Sequence, residues 1–237
     1  MESNLRLSHA GWENYYAAHT DERAWGGVPD AFLLEHLDKL LQANASCVLD
    51  VASGDGRNSW PFLERDITVV AADLSPTALA TMAQRCFQAR VRMPVLLAGD
   101  FLASQLVEGQ FDCALCFNSI PHFEEPALVI ARMAALLRDG GRMVFNAFTP
   151  GDVAFGQGEK IGDNRYYYQQ TLFTFMSESD VQDILPNTVK VVKAETRRWD
   201  EPDHGIYRKG WHTHEACFFI LEKLPQAQCS AKEDRVK

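Results

Sequence analysis

The segment Val48-Leu49-Asp50-Val51-Ala52-Ser53-Gly54-Asp55-Gly56-Arg57-Asn58 ends an apolar run on an acid and leads at once into a tight loop of small residues. Gly54 and Gly56 let a backbone approach a ligand closely, and a helix opening at Arg57 would offer unpaired N–H groups to an anionic end. Alone, the segment is ambiguous. Gly54-x-Gly56-x-x-Ser59 nearly matches the dinucleotide fingerprint, whose third position is glycine or alanine. Three later groups narrow the reading. Asp73 follows the second apolar run, where an acid can take both hydroxyls of a ribose. Asp100-Phe101 closes the run LLAGDF, where a carboxylate can accept from an adenine amine while a ring packs on the base. Asn118 ends a fourth run, in CFNSIPHF. Successive strand ends of a parallel sheet open into one crevice, so these groups converge. The ligand they describe has a ribose diol, an adenine and a zwitterionic amino-acid tail. Nothing marks the second half of a dinucleotide.

Groups able to move a proton stand further along. His122 follows the fourth run by a few residues, which places it on the far side of the crevice as a base or substrate clamp near neutral pH. His204, His212 and His214 are the other candidates, with His212 the second choice for a catalytic role. His212-x-His214 resembles a metal pair, yet no third ligand has a convincing spacing, so no metal is expected. Tyr166, Tyr167, Tyr168, Trp199, Tyr207 and Trp211 suit the rim of a pocket for a flat or apolar small molecule.

An alternation of strands and helices must position these groups. Residues 8–19 and 28–43 read as helices, the second with Phe32, Leu33, Leu37, Leu40 and Leu41 at helical spacing. Strands are expected at 47–51, 67–72, 94–98, 111–117 and 142–148, and helices at 57–64, 75–90 and 126–138. That order is the mark of an α/β fold, a doubly wound and mostly parallel sheet. Residues 149–176 read as a glycine- and tyrosine-rich excursion over the active face, and Ser177 with Asp180 as a helix start. Runs 188–198 and 215–224 read as a terminal antiparallel pair. In domain terms, 1–44 is a helical leader or lid, 45–224 the ligand-binding domain and 225–237 a polar tail.

Composition narrows the partners. A net charge of −9 opposes a nucleic-acid backbone, which needs a concentrated basic surface. No run approaches a membrane span, and the N-terminus lacks the apolar core of a signal peptide. Six cysteines without framework spacing read as free thiols of a cytoplasmic protein. Cys113 and Cys116 form a C-x-x-C, but on a strand they face opposite sides. Oligomeric state leaves no mark.

The order LDVASGDG, AADLS, AGDF, FNSIPHF and LRDGGRMVF resembles the class I S-adenosylmethionine-dependent methyltransferases over roughly residues 45–223. The GRNS after the loop and the leader W-x-x-Y-Y…AWGG-x-P are similar to the tellurite-resistance and thiopurine methyltransferase-like enzymes. The resemblance implies a Rossmann-like sheet of seven strands whose last is antiparallel, with S-adenosylmethionine as cofactor and a small-molecule acceptor. Carried over, Ser53, Gly54 and Gly56 line the methionine tail beside Asp50 and Asn58. Asp73 holds the ribose, Leu74 packs on the adenine, and Asp100 and Phe101 set its edge. Asn118 meets the ammonium or sulfonium, while Trp12, Tyr16 and Trp25 lie across the pocket. Ala52 stands where the class has glycine, which a negative φ would tolerate. The competing readings are a non-catalytic S-adenosylmethionine-binding regulator and a nicotinamide-dependent oxidoreductase.

Overall fold

A computed structural model describes residues 2–19, 27–41, 45–201 and 210–225, with residues 2–9 described by their backbone alone. Trp25, His204, Tyr207 and most of the polar tail lie outside the described residues.

Five strands alternate with helices. They are β1 (Cys47–Val51), β2 (Thr68–Asp73), β3 (Val95–Ala98), β4 (Phe111–Cys116) and β5 (Leu137–Phe148). Two long strands close the chain, β9 (Val189–Glu201) and β10 (His212–Lys223). Together they form one sheet in the order β3-β2-β1-β4-β5-β10-β9. The first five are parallel, and β10 runs antiparallel to both of its neighbours. This is the doubly wound, mostly parallel seven-stranded sheet expected.

The central strands are buried on both faces, as a sheet covered by helices on each side requires. One face packs on α2 (Ala31–Leu40) through Phe32, Leu33, Leu37 and Leu40, and on α4 (Pro76–Ala89) through Leu79 and Met82. The other packs on α5 (Pro126–Leu136) through Val129, Ile130 and Met133. Cys113 belongs to the first core and Cys116 to the second, so the C-x-x-C is split across the sheet. The five described cysteines are free thiols.

Helix starts follow their caps. Asp30 accepts from the Phe32 N–H and Ser75 from the Ala78 N–H, each satisfying a first-turn donor. The Ser177–Asp180 pair forms a full capping box for α6 (Glu178–Asp183). Several boundaries depart from expectation, among them the leader helix, which starts at Glu2 rather than residue 8, and α2, which is 31–40 rather than 28–43. The helix placed at 57–64 is only α3 (Trp60–Leu63), because Gly56–Ser59 is spent on turns. β5 begins at Leu137 rather than 142, with an irregular stretch that includes Gly140 at φ +75°.

Residues 149–176 hold a small antiparallel sheet of β6 (Glu159–Gly162), β7 (Arg165–Tyr168) and β8 (Thr171–Thr174). Gln169 and Gln170, both at positive φ, make the two-residue hairpin between β7 and β8. The leader forms α1 (Glu2–Ala18), which lies against α4 and β8. Among the described residues no helix is long and apolar enough to cross a membrane.

Candidate functional site

The loop after β1 turns on three left-handed residues, Ala52 (φ +54°), Gly54 (φ +55°) and Gly56 (φ +86°). Ala52 does not have the negative φ supposed from its side chain. Its Cβ crowds the backbone there, at a cost of roughly 1–2 kcal/mol that glycine would avoid. Three of its amides are satisfied within the protein. Ser53 N–H donates to the Ala72 carbonyl (3.1 Å), Gly54 N–H to Asp73 Oδ2 (2.8 Å) and Gly56 N–H to the Ser53 carbonyl (3.0 Å). The helix expected to open at Arg57 begins only at Trp60, after a run of turns. Gly56 is instead a packing glycine, since a Cβ there would overlap the Met82 side chain of α4. Arg85 of α4 also pairs with buried Asp55, which locks that helix to the loop.

Two buried carboxylates stand under the loop. Asp50 accepts from the Ser59 hydroxyl (2.6 Å), and burial pushes its carboxyl up to about 7. Asp73 bridges two elements, Oδ2 taking the Gly54 N–H and Oδ1 the Ser75 N–H at 2.8 Å each. Burial also raises its pKa, against the pull of those two bonds. Each oxygen of a carboxylate has a second lone pair, so Asp73 can still accept from a diol. The Ser53 hydroxyl is buried and has no hydrogen-bond partner among the described residues.

The other expected ligand groups are partly committed to the protein. Asn58 Oδ1 accepts from the Asp30 N–H (2.9 Å) at the start of α2. Asp100 caps a short 3-10 turn through the Leu102 N–H (2.9 Å), and the Phe101 ring lies in the core. Leu74 is half-buried at the end of β2. Asn118, at φ +56°, forms a closed pair with Asn146 of β5. Its N–H donates to Asn146 Oδ1 (2.6 Å), and its Oδ1 accepts from Asn146 Nδ2 (2.7 Å).

Helix α1 roofs this floor. The Tyr16 hydroxyl lies against Gly54. Glu13 accepts from the hydroxyls of Ser75 (2.5 Å) and Thr77 at the start of α4. His122 sits in a 3-10 turn, 120–122, where Nδ1 lies 2.7 Å from the Leu172 carbonyl of β8. A carbonyl only accepts, so Nδ1 carries a proton and Nε2 is the nitrogen that can act as a base. The rings of Trp12, Phe173 and Phe148 surround it, with centroids 5.1, 4.7 and 6.4 Å away. Contacts thus run from α1 to the glycine loop, to the start of α4 and to the 120–122 turn, and from that turn to β8.

Several contributors escaped sequence reading. Glu13 has no motif, and Asn146 shows only as a polar residue inside the apolar run MVFNAF. His212 and His214 acquire a neighbour that spacing along the chain does not supply, because Glu201 of β9 is the register partner of His212.

A ligand with a diol, an adenine and a zwitterionic tail fits this crevice. Asp73 keeps a lone pair on each oxygen that a diol could fill, and the Ser53 hydroxyl, buried without a partner among the described residues, is a group that such a tail would satisfy.

Comparison with known proteins agrees. Residues 48–141 match a family profile described as a methyltransferase domain. The chain is 27% identical over 124 residues to a ubiquinone biosynthesis O-methyltransferase of Xanthomonas axonopodis pv. citri (strain 306), covering 52% of this chain and 51% of that protein. It thus spans about half the length of the curated relatives it matches. Among solved structures, one described under the conversion of a disulfide bond into a thioacetal group during echinomycin biosynthesis has a TM-score of 0.68 at 14% identity. The match covers 94% of this chain and 98% of that one. Magnesium protoporphyrin IX methyltransferase from Synechocystis PCC 6803, solved with bound SAH, has a TM-score of 0.57 at 17% identity, covering 81% and 78%. Likeness at such identities speaks for the fold.

Proposed function

We propose that this chain, which carries a class I S-adenosylmethionine-dependent methyltransferase domain, transfers the cofactor's methyl group to a small molecule held between α1, the 120–122 turn and β8. When bound, the cofactor supplies an electrophilic sulfonium methyl and its own leaving group. The protein's part is to orient the acceptor, exclude water and remove a proton where the acceptor carries one.

The observation that carries the small-molecule reading is the set of contacts that α1 and the 120–122 turn make over the strand ends. Tyr16 rests on the glycine loop, Glu13 grips the start of α4, and His122 is boxed by Trp12, Phe148 and Phe173. An aromatic box of that kind suits a ring-bearing acceptor, and the charge of −9 opposes a polyanion. The ubiquinone-biosynthesis relative favours an oxygen nucleophile. Such an acceptor needs a base, and His122 Nε2, fixed by the Nδ1 bond to Leu172, is the group we assign to that role. Asp73 takes the ribose hydroxyls and Ser53 the amino-acid tail. The five described free thiols suit a reducing compartment such as the cytoplasm.

Incubation of the full chain with methyl-labelled donor and a panel of phenols, thiols, selenite or tellurite, carboxylates and amines tests the reading. It predicts label in one class of small acceptor, matched by an equal amount of demethylated cofactor. Label that stays on a fully bound donor, or moves only to protein or nucleic acid, would overturn it.

A further inference from the structure

At the junction of β9, β10 and the 149–156 loop, Glu201, His212 and His214 bring one ligand atom each within 4.8 Å of one another. The two imidazoles meet through Nε2, 3.0 Å apart. The far nitrogen of each ring identifies its tautomer. His212 Nδ1 lies 2.8 Å from the Gly210 carbonyl, which can only accept. His214 Nδ1 lies 2.7 Å from Asp152 Oδ2. That carboxylate also accepts from the backbone N–H groups of Ala154 and Glu215, through Oδ1 and Oδ2 respectively. Both Nδ1 atoms therefore carry protons, which makes Nε2 the nitrogen each ring can offer to a metal, the two lying 3.0 Å apart.

Glu201 adds the third group. Its Oε1 accepts from the Trp199 indole N–H (2.9 Å), and its Oε2 lies 3.8 Å from His214 Nε2. Each candidate ligand is thus oriented from behind, Glu201 by Trp199, His214 by Asp152 and His212 by the Gly210 carbonyl. Such outer partners fix the tautomer and aim of metal ligands. Two nitrogens bound at about 2.0–2.1 Å in tetrahedral geometry would stand roughly 3.4 Å apart, a few tenths from the separation found.

We propose that Glu201, His212 and His214 form a binding site for a divalent first-row transition metal, with zinc as its simplest occupant. Two imidazoles and one carboxylate suit zinc, whereas magnesium and calcium demand oxygen ligands. His214 stacks on Phe148 (5.7 Å), the ring that also flanks His122, so the site stands next to the acceptor end of the crevice. The proposal does not depend on methyl transfer.

Zinc binding to chelator-treated full-length protein, measured by dialysis and metal analysis, is the test. One equivalent should bind, and His212→Ala and Glu201→Gln should each weaken it by at least about tenfold. Cobalt in place of zinc should give the intense visible bands of a four- or five-coordinate site. Circular dichroism and melting in chelator must match wild type, which separates a lost ligand from a lost fold. The half-buried positions of both residues favour that control. Zinc affinity left intact by both substitutions would overturn the proposal. So would nitrogen NMR showing one ring as an imidazolium that added zinc does not disturb.

Discussion

Tyr16 and Gly54 are in direct apposition. A Cβ built on Gly54 would overlap the tyrosine hydroxyl, and the residue's φ of +55° already disfavours a side chain. The leader helix and the glycine loop are therefore one mechanical unit.

Gly54→Ala should displace Tyr16 and lift α1 from the loop. We expect a stability loss of roughly 1–3 kcal/mol from the overlap and the left-handed backbone together. Cofactor affinity should fall with it, and protease cleavage within α1 should speed up. Thermal melts and limited proteolysis read both. A variant with unchanged α1 protection would mean that the helix is held elsewhere.

Asp50 makes stability depend on pH. Its carboxyl titrates near 7 in the folded chain against 3.8 ordinarily, because burial disfavours the charge. The folded state therefore binds this proton more tightly than the unfolded state. Stability from this group is fully present below pH 3.8 and is lost as pH rises through about 7. Burial shifts Asp73 and Asp30 the same way, so the comparison needs a variant. Asp50→Asn should melt closest to wild type below pH 3.8 and gain on it as pH rises from there to about 7, the gap staying constant above that. Parallel melting profiles would show that Asp50 is not the group responsible.

His122 should carry the proton transfer. His122→Gln can keep a donor to the Leu172 carbonyl yet has no basic nitrogen. It should fold normally and bind cofactor as wild type does, with kcat lower by about 10²–10⁴ and the acidic limb of the pH–rate profile gone. With an acceptor that is already an anion, KM should move instead. Wild-type kinetics would leave His122 as a tie between its turn and β8.

Much of this was legible in residues. Asp50 and Asp73 lie at strand ends and Gly54, Gly56 and Asn118 in the turns that follow them, because small residues and acids interrupting apolar runs mark where strands of a parallel sheet stop. What those side chains grip was not legible. Asp73 spends both oxygens on backbone N–H groups, and Asn118 pairs with a residue one strand over. Such partners are set by register, which a run of apolar residues does not encode. The four-residue strands of the excursion were hidden for a related reason. They are too short for alternation to show, and their hairpin turns on two glutamines rather than the usual asparagine and glycine. Glu201 reaches His212 by the same cross-strand logic.

The central claim is that the crevice under α1 is built for S-adenosylmethionine rather than a dinucleotide. Calorimetric titration of the full chain with S-adenosylmethionine, its demethylated product and NAD tests it most directly. The account predicts one equivalent of either sulfur ligand and no heat from NAD. Saturable NAD binding without a signal from S-adenosylmethionine would contradict it.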